Sequence, residues 1–554
     1  MRKADRILIS LGKSIYKALE QLEESKERLL ICIDGQDRFV GVINDGDIRR
    51  ALLRGAKVGD LINSFVRRDA DYVTSQCNFN EAMRHITSRV SVLPVIDHER
   101  KVVGFYSFKE KEEFVDIKKR KVTILGMGYV GLTLSVVLSD AGFEVTGYDV
   151  NENLLKELRK GHSHFYEKGL QKYLTLLSGR NLRFVSNLEE ARGSIYIITV
   201  GTPILKPQMK PNLEYAMRAT KQIAKMIDSG DIVIFRSTLP LGFCRHKALP
   251  ILEKESGLRV GRDFYLAYAP ERTTEGQALK ELRSNPQIVG GYDQRSKEIA
   301  ARLFNCLTHS VIDVETLESA EMCKLVDNCF RDHVFAFANQ MAPLAESFGL
   351  DFCKIVDAVN HGYHRNFVPK PSPGVGGACL SKDPYILREA FAAKKMDSSL
   401  VKHARIINER GPHLLKEKLA RLLQSVGKDI KSAKIFLIGM AFKGAPETSD
   451  LRDSTSVWFL NELPFKKNVC VYDAVVEDKA IRALGIRPVS LKQGFTHADA
   501  VVVLNNHYSY QDMDVFSLTA LMSKPGVFID TWHIFEPLDM KRIEGIVYGG
   551  VGND

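Results

Sequence analysis

From residue 121 onward, buried-strand patterns alternate with helical ones. The stretch KVTILGMGYVGLTLSVVLSDAGFEVTGYDVN (121–151) reads as an apolar strand, a glycine turn, an apolar helix and a second strand ending at Asp149. Short apolar runs at SIYIITVG (194–201) and DIVIFRST (231–238) continue the series. Strands alternating with helical segments predict a parallel sheet covered by helices. Apolar residues at helical spacing over 316–359 predict a long helical middle. After Lys434 the alternation resumes in KIFLIGMAF, NVCVYDA, DAVVVLN and VFIDTW. The expected fold class is α/β: two Rossmann-like domains joined by a central helical region. The most apolar stretch, 122–138, is broken by glycines and barely of membrane length, so no membrane span is expected.

The first 115 or so residues follow a different pattern and repeat internally. LLICIDGQDRFVGVINDGDIRRALL (29–53) and VSVLPVIDHERKVVGFYSFKE (90–110) each contain a strand, an Asp turn, a strand passing through Gly41 or Gly104, and a polar helix start. A helical pattern precedes each, SIYKALEQLEES and NFNEAMRHITS. Two copies packed together are expected, and the unit resembles a tandem CBS (Bateman) module. That resemblance implies an adenine nucleotide as partner, its ribose held by Asp47. The second copy has Glu110 at that position. Three residues before it the family carries Ser or Thr: Ser107 fits, and the first copy has Asn44. The charged run KEKEEFVDIKKRK (109–121) reads as a linker. The expected domains are 1–115 (CBS pair), 116–312 (first Rossmann-like domain), 313–412 (central helical region) and 413–554 (second Rossmann-like domain).

Composition narrows the class. The chain has 554 residues, 45% apolar and 26% charged, an ordinary globular balance. Nine cysteines are few, and none forms a CxxC or zinc-type spacing, so a reducing, cytoplasmic compartment and no metal are expected. The net charge of +10 is mild for this length. Its basic clusters are short, with no basic stripe interleaved with aromatics, so nucleic acid is not an expected partner.

Gly126-Met127-Gly128-Tyr129-Val130-Gly131 is GxGxxG, placed after a strand and opening a helix. In that context the glycines permit a tight turn and close approach of backbone amides to a pyrophosphate. Asp149, ending the next strand, suits the ribose hydroxyls. Asn151 and Glu152 follow it rather than an arginine, which favours NAD over NADP.

Three further motifs carry chemistry: YAPERTTEG (268–276), ESAEMCKLVDN (318–328) and PGVGGACLSKD (373–383). A ligand can closely approach a cysteine set in a glycine loop, and a helix N-terminus after such a loop would raise the thiolate fraction. Asp383, four residues beyond Cys379, would share its face if the segment is helical. Lys324 and Asn328 share a helix face, where a cation and an amide can hold an oxyanion.

With VGTP (200–203), RSTLPLG (236–242) and GMAFKGAPETSDLRDS (439–454), these motifs make residues 121 to about 535 resemble the UDP-glucose/GDP-mannose dehydrogenase family. The resemblance implies NAD-dependent four-electron oxidation of a nucleotide sugar at C6, through a Cys379 thiohemiacetal and thioester. It assigns Lys324 and Asn328 to oxyanion stabilisation, Asp383 to water, Glu271 to general base and Thr238 to an ordered water. Cofactor contacts fall to the glycine loop, Asp149, Thr202 and Glu275; substrate contacts to Arg365, Gly376, Lys443 and Arg452. PER resembles the branch acting on N-acetylhexosamines, whereas Lys382-Asp383 resembles the UDP-glucose and GDP-mannose branches, so a UDP-hexose or UDP-N-acetylhexosamine is expected. The alternatives are GDP-mannose, or a nucleotide-sensing protein with an inactive dehydrogenase body. The family further implies a homodimer through the central helix and a place in polysaccharide synthesis.

Overall fold

In a computed structural model, residues 4–25, 29–75, 77, 82, 85–86, 90–107 and 117–553 are described. The chain divides into two compact units, residues 1–120 with 301–311, and residues 121–300 with 312–554. Glu110 and most of the charged run at 109–121 lie outside the described residues. Among the described residues, no helix is long and apolar enough to cross a membrane.

The smaller unit repeats itself down to single hydrogen bonds. Strand Leu8–Ser10 runs parallel to Leu29–Ile33, which pairs antiparallel with Phe39–Asn44. Val73–Thr74, Val92–Ile96 and Val102–Ser107 repeat that arrangement. Both hairpins shift register near their turn, at Cys32/Ile33 and at Val95/Ile96. The turns are alike because Asp34 accepts from the Gln36 and Arg38 amides, and Asp97 from those of Glu99 and Lys101. Such Asx turns stabilise a tight reversal, here with Asp37 and Arg100 at positive φ. Val92, Ile96 and Phe105 of the second copy enter the core formed by Ile9, Ile31, Val42 and Ile48 of the first.

The larger unit has two sheets. The first runs in the order Val311–Thr316, Gln287–Gly291, Tyr265–Tyr268, Ile232–Phe235, Ile195–Ile198, Val122–Leu125, Val145–Tyr148, Leu182–Val185. Its central strands are fully buried β-branched runs, as a parallel sheet covered on both faces demands. Gln287–Gly291 is antiparallel to Tyr265–Tyr268, closing the parallel run. The second sheet runs Arg487–Pro488, Val469–Tyr472, Ile435–Ile438, Ala500–Val503, Gly526–Asp530, Ile546–Gly550, all parallel.

Two long helices, Leu317–Ser347 and Ser399–Ser425, pack together between the sheets in sequence. The helical pattern over 316–359 is two helices rather than one. Gly349 takes φ +68°, and Asp351 then caps Phe352–Asn360 by accepting from the Cys353 and Lys354 amides. A left-handed glycine and an Asx cap end one helix and begin the next.

Candidate active site

The glycine loop has the shape a dinucleotide requires. Gly126 turns at φ +96° and donates to the Tyr148 carbonyl at 2.8 Å. Gly128 precedes helix Tyr129–Asp140, and a Cβ added to it would meet open space. A Cβ on Gly131 would lie 1.9 Å from the Gly126 carbonyl oxygen, so only glycine lets the helix pack this closely on the turn. Asp149 accepts from the Met127 amide at 2.7 Å and the Asn151 amide at 2.9 Å, which aims it beside the loop. The residues fit NAD: amides and the helix start for the pyrophosphate, a carboxylate for the ribose. Tyr129 is half-buried, its hydroxyl donating to Glu167, which also accepts from the Gly276 amide at 2.6 Å. Val130 is half-buried in the first turn of the helix. Thr202 donates through Oγ1 to the Thr238 carbonyl at 2.8 Å, tying two strand ends together.

Two cavities flank the cysteine loop. One of about 440 Å³ is lined by Glu275, Lys324, Asn328, Gly376, Cys379 and Lys443, among others. The other, about 890 Å³, meets Thr202, Lys382 and Arg452 on the opposite side of Ala378, which borders both. The structure thus brings together side chains that lie far apart in sequence. Arg365 is exposed in the loop after Phe352–Asn360 and lines neither cavity.

Cys379 stays open to solvent in the first cavity. It does not sit at a helix start, because residues 377–382 form turns and the helix Asp383–Ala393 begins only afterwards. The Cys379 carbonyl, not its side chain, accepts from the Lys382 and Asp383 amides, at 3.2 and 3.0 Å. Surrounding protein pushes the thiol up, Lys324 pulls it down, Asp383 raises it and Lys382 lowers it; the balance is a raised pKa. Asp383 is fully buried beneath the cavity. It accepts from the Asn328 amide group on one oxygen and from Lys382 Nζ on the other.

The two carboxylates of YAPERTTEG differ sharply. Glu271 is buried, and burial opposes its ionisation. The Arg236 guanidinium (2.7 Å) and the Arg272 and Thr273 amides outweigh that, holding the carboxyl below its usual range. Its backbone carbonyl accepts from Lys324 Nζ at 2.6 Å. Glu275 behaves oppositely. Burial and then Asp450 push its carboxyl up to about 7, against the pull of Arg452 and Lys443. Lys443 Nζ donates to the Glu275 carbonyl at 2.7 Å, and Arg452 lies 3.6 Å from Glu275 Oε1.

Several participants escape the sequence reading. Arg236 stands inside RSTLPLG, but nothing in that motif points to Glu271. Arg272 reaches Asp327 at 2.7 Å over the same cavity. Arg331 also lines it. Asp332 continues the Lys324–Asn328 stripe by one turn, a signal that was available from spacing alone.

The NAD-binding domain model of the UDP-glucose/GDP-mannose dehydrogenase family matches residues 120–308, its central domain 318–410 and its UDP-binding domain 436–537. A CBS domain model matches residues 1–54. A UDP-N-acetyl-D-mannosamine dehydrogenase of Pyrococcus horikoshii is 32% identical over 435 residues, 78% of this chain and 99% of that protein. An NDP-N-acetyl-D-galactosaminuronic acid dehydrogenase of Ralstonia solanacearum is 28% identical over 426 residues, 75% of this chain and 96% of that one. The solved structure of the UDP-D-ManNAc dehydrogenase from Pyrococcus horikoshii matches with a TM-score of 0.70 at 31% identity, covering 78% of this chain and 99% of the other. Glycine cradle, cysteine cavity and matched domains occur in one order along the chain, which belongs to the UDP-glucose/GDP-mannose dehydrogenase family, NAD-dependent nucleotide-sugar dehydrogenases.

Proposed function

We propose that the chain oxidises the C6 alcohol of a UDP-N-acetylhexosamine to the carboxylate, in four electrons, through covalent capture on Cys379. The observation that carries this reading is the cavity in which Cys379, Lys324 and Asn328 face one space. Arg272, Arg331 and Lys443 line the same cavity and suit an anionic diphosphate. An N-acetylated sugar is favoured by the names of the Pyrococcus and Ralstonia relatives.

NAD, which the glycine loop and Asp149 would hold, would supply the hydride acceptor for both oxidations. In the first, Lys324 stabilises the alkoxide as the hydroxyl proton leaves, and Glu275, poised near 7, is the carboxylate able to take it. Glu271 is too tightly paired with Arg236 to exchange a proton readily; it positions Lys324 through its carbonyl. The Cys379 sulfur then bonds to the aldehyde carbon, and its thiol proton passes to the carbonyl oxygen, giving a thiohemiacetal. Loss of the second hydride and of the hydroxyl proton leaves a thioester. Water adds to that carbon, the C–S bond breaks, and the carboxylate departs as the sulfur regains a proton. Lys324 and the Asn328 amide hold the oxyanion each time it forms, and Asp383 orients Asn328. Attachment to the Cys379 sulfur would keep the carbon in the site between the two oxidations.

The test is a panel of UDP-ManNAc, UDP-GlcNAc, UDP-glucose and GDP-mannose with NAD, counting NADH per sugar consumed. The reading expects two, with an N-acetylated UDP-sugar preferred, and Cys379→Ser arresting turnover before the acid. One NADH per sugar, or an unimpaired Cys379→Ser, overturns it.

The same reading makes the protein a homodimer. Phe330, Phe337, Leu344 and Phe348 recur along one side of Leu317–Ser347 and its end, 64%, 48%, 53% and 74% exposed. A stripe of large exposed apolar residues fits burial by a second copy; sedimentation of a Phe337→Glu variant as monomer is the expected result. For the CBS unit, an adenine nucleotide remains the proposed ligand, with Asp47 as ribose partner. Asp47 closes a capping box with Asn44 and pairs with Arg50 and, at 3.4 Å, Arg67. A ribose therefore competes with two arginines that could turn to its phosphates. Titration calorimetry with ATP, ADP and AMP, showing no heat with any of them, would remove this ligand.

A further inference from the structure

Cys379 is carried by a glycine-rich loop, and glycine loops do not hold their own shape. The Gly377 amide donates to the Asp453 carbonyl at 2.9 Å and Ser381 Oγ to the Gly377 carbonyl at 2.8 Å, and one buried side chain ties the two ends of the loop together. Arg405, on helix Ser399–Ser425, is 1% exposed, as is Asp332 on the facing helix. Its Nη2 donates to the Val375 carbonyl at 2.5 Å, and its Nη1 to the Leu380 carbonyl at 2.8 Å. These two carbonyls bracket the segment that contains Gly376, Gly377 and Cys379. Nη1 also donates to Asp332 Oδ1 at 2.6 Å, and Nε to Glu409 at 3.1 Å.

Asp332 is what makes the clamp informative. It stands one turn beyond Asn328 and two beyond Lys324, so the three share one stripe of Leu317–Ser347. Asn408 braces the same aspartate, donating to its side chain and its backbone carbonyl, both at 2.8 Å. The helix that presents the oxyanion-holding lysine and amide therefore also dictates, through Asp332 and Arg405, where the sulfur stands. The Asn328–Asp383 bond makes a second tie on the far side of the cysteine.

We propose that Arg405 is a positioning residue that sets the register between Cys379 and the Lys324–Asn328 pair, and that its contribution is to the capture of the aldehyde rather than to binding or to the first hydride transfer. This rests on the covalent reading of the site. Arginine suits this place because three separate nitrogens of its planar group reach the Val375 carbonyl, the Leu380 carbonyl with Asp332, and Glu409, four acceptors that the three protons of one ammonium cannot all serve. A sulfur displaced by about 1 Å loses its attack geometry, and such misplacement costs on the order of 100-fold in rate.

The experiment compares wild type, Arg405→Lys, Asp332→Asn and Cys379→Ser as full-length protein, using the nucleotide sugar turned over fastest in the panel, NAD and a hydroxylamine trap for free aldehyde. Arg405→Lys keeps the charge opposite Asp332 but cannot span both carbonyls. It is expected to lower kcat at least tenfold, leave both KM values within twofold, and divert at least a tenth of the sugar consumed into trapped aldehyde, absent in wild type. Asp332→Asn, whose Oδ1 still accepts, should show the same signature more weakly. The proposal is overturned if Arg405→Lys keeps wild-type kcat with two NADH per sugar, or if kcat falls only together with rises in both KM values. It is equally overturned if neither Arg405→Lys nor Asp332→Asn folds, which would make the cluster part of the core. Cys379→Ser separates the two ideas: full four-electron turnover there defeats the covalent reading itself, whereas arrest there beside an unaffected Arg405→Lys defeats only the clamp.

Discussion

The larger unit contains the same strand–glycine–aspartate turn twice, and uses it differently each time. Gly126 and Gly439 take φ +96° and +92°, and donate at 2.8 Å to the carbonyls of Tyr148 and Tyr472. Asp149 accepts from the Met127 amide at 2.7 Å; Asp473 accepts from the Met440 amide at 2.6 Å. Beyond that the two part. The first turn continues at once into helix Tyr129–Asp140, with open space at Gly128. Among the described residues Asp149 accepts one further amide, that of Asn151, which leaves acceptor capacity for a ribose. In the second, Asp473 also accepts from Ala441, Val475 and Val476, and the next helix waits until Thr455–Glu462. The intervening chain turns to the first half, where Lys443 reaches Glu275. The turn is a property of the parallel sheet; whether it holds a dinucleotide depends on how soon a helix starts after the glycine and on how many amides the aspartate already serves.

That contrast breaks most sharply at the glycines. Gly131→Val drives a side chain against the Gly126 carbonyl, and an overpacking cost of about 3 kcal/mol should weaken NADH binding roughly 100-fold in a fluorescence titration. Gly439→Ala, facing Asn505 instead, should lower the Tm and leave NADH affinity unaltered. The aspartates should divide the same way. Asp473→Asn keeps one carbonyl oxygen and sets an NH2 against the other pair of backbone amides, so a loss of about 2 kcal/mol in urea unfolding is expected, again without effect on NADH. Asp149→Asn should weaken NADH binding about tenfold and improve tolerance of NADPH, with little change in stability.

The smallest expected effect sharpens the seam between the halves. If Glu275 takes the C6 hydroxyl proton as proposed, it must be ionised to do so; kcat/KM should then climb as pH passes about 7, and Glu275→Gln should flatten that limb. The stability linkage has the opposite slope. With its carboxyl raised from 4.5 to about 7, the folded chain holds a proton that the unfolded chain has lost, so this group's contribution declines as pH rises through that interval. A urea midpoint that rises there, relative to Glu275→Gln, would contradict it.

Much of this was legible in the chain, and the reasons are local. The strands near 122, 195, 232, 435 and 500 announce themselves as buried β-branched runs, and GxGxxG with Asp149 spans few enough residues to be read in one glance. The repeat at 29–53 and 90–110 reappears in matching Asx turns. Lys324 and Asn328 are four residues apart on a helix, so their shared face comes directly from its pitch. Other expectations needed the fold. Asp383 meets Asn328 and Lys382 instead of presenting itself to the cavity, and Arg365 stays at the surface. The helical run over 316–359 breaks because Gly349 and Asp351 supply a stop and a start.

Periodicity, turn chemistry and the glycine motif are short-range properties of a polymer, and from them came the α/β class and the cofactor, whereas the role expected of Cys379 came from the family resemblance. Only packing settled which polar groups meet: Arg236 with Glu271, 35 residues apart; Arg405 with Asp332, 73 apart; the Lys443 ammonium with the Glu275 backbone carbonyl, 168 apart. Strand order and helix crossing bring those groups together, and their proton affinities arise from that juxtaposition and from exclusion of water. No spacing rule along a chain encodes either.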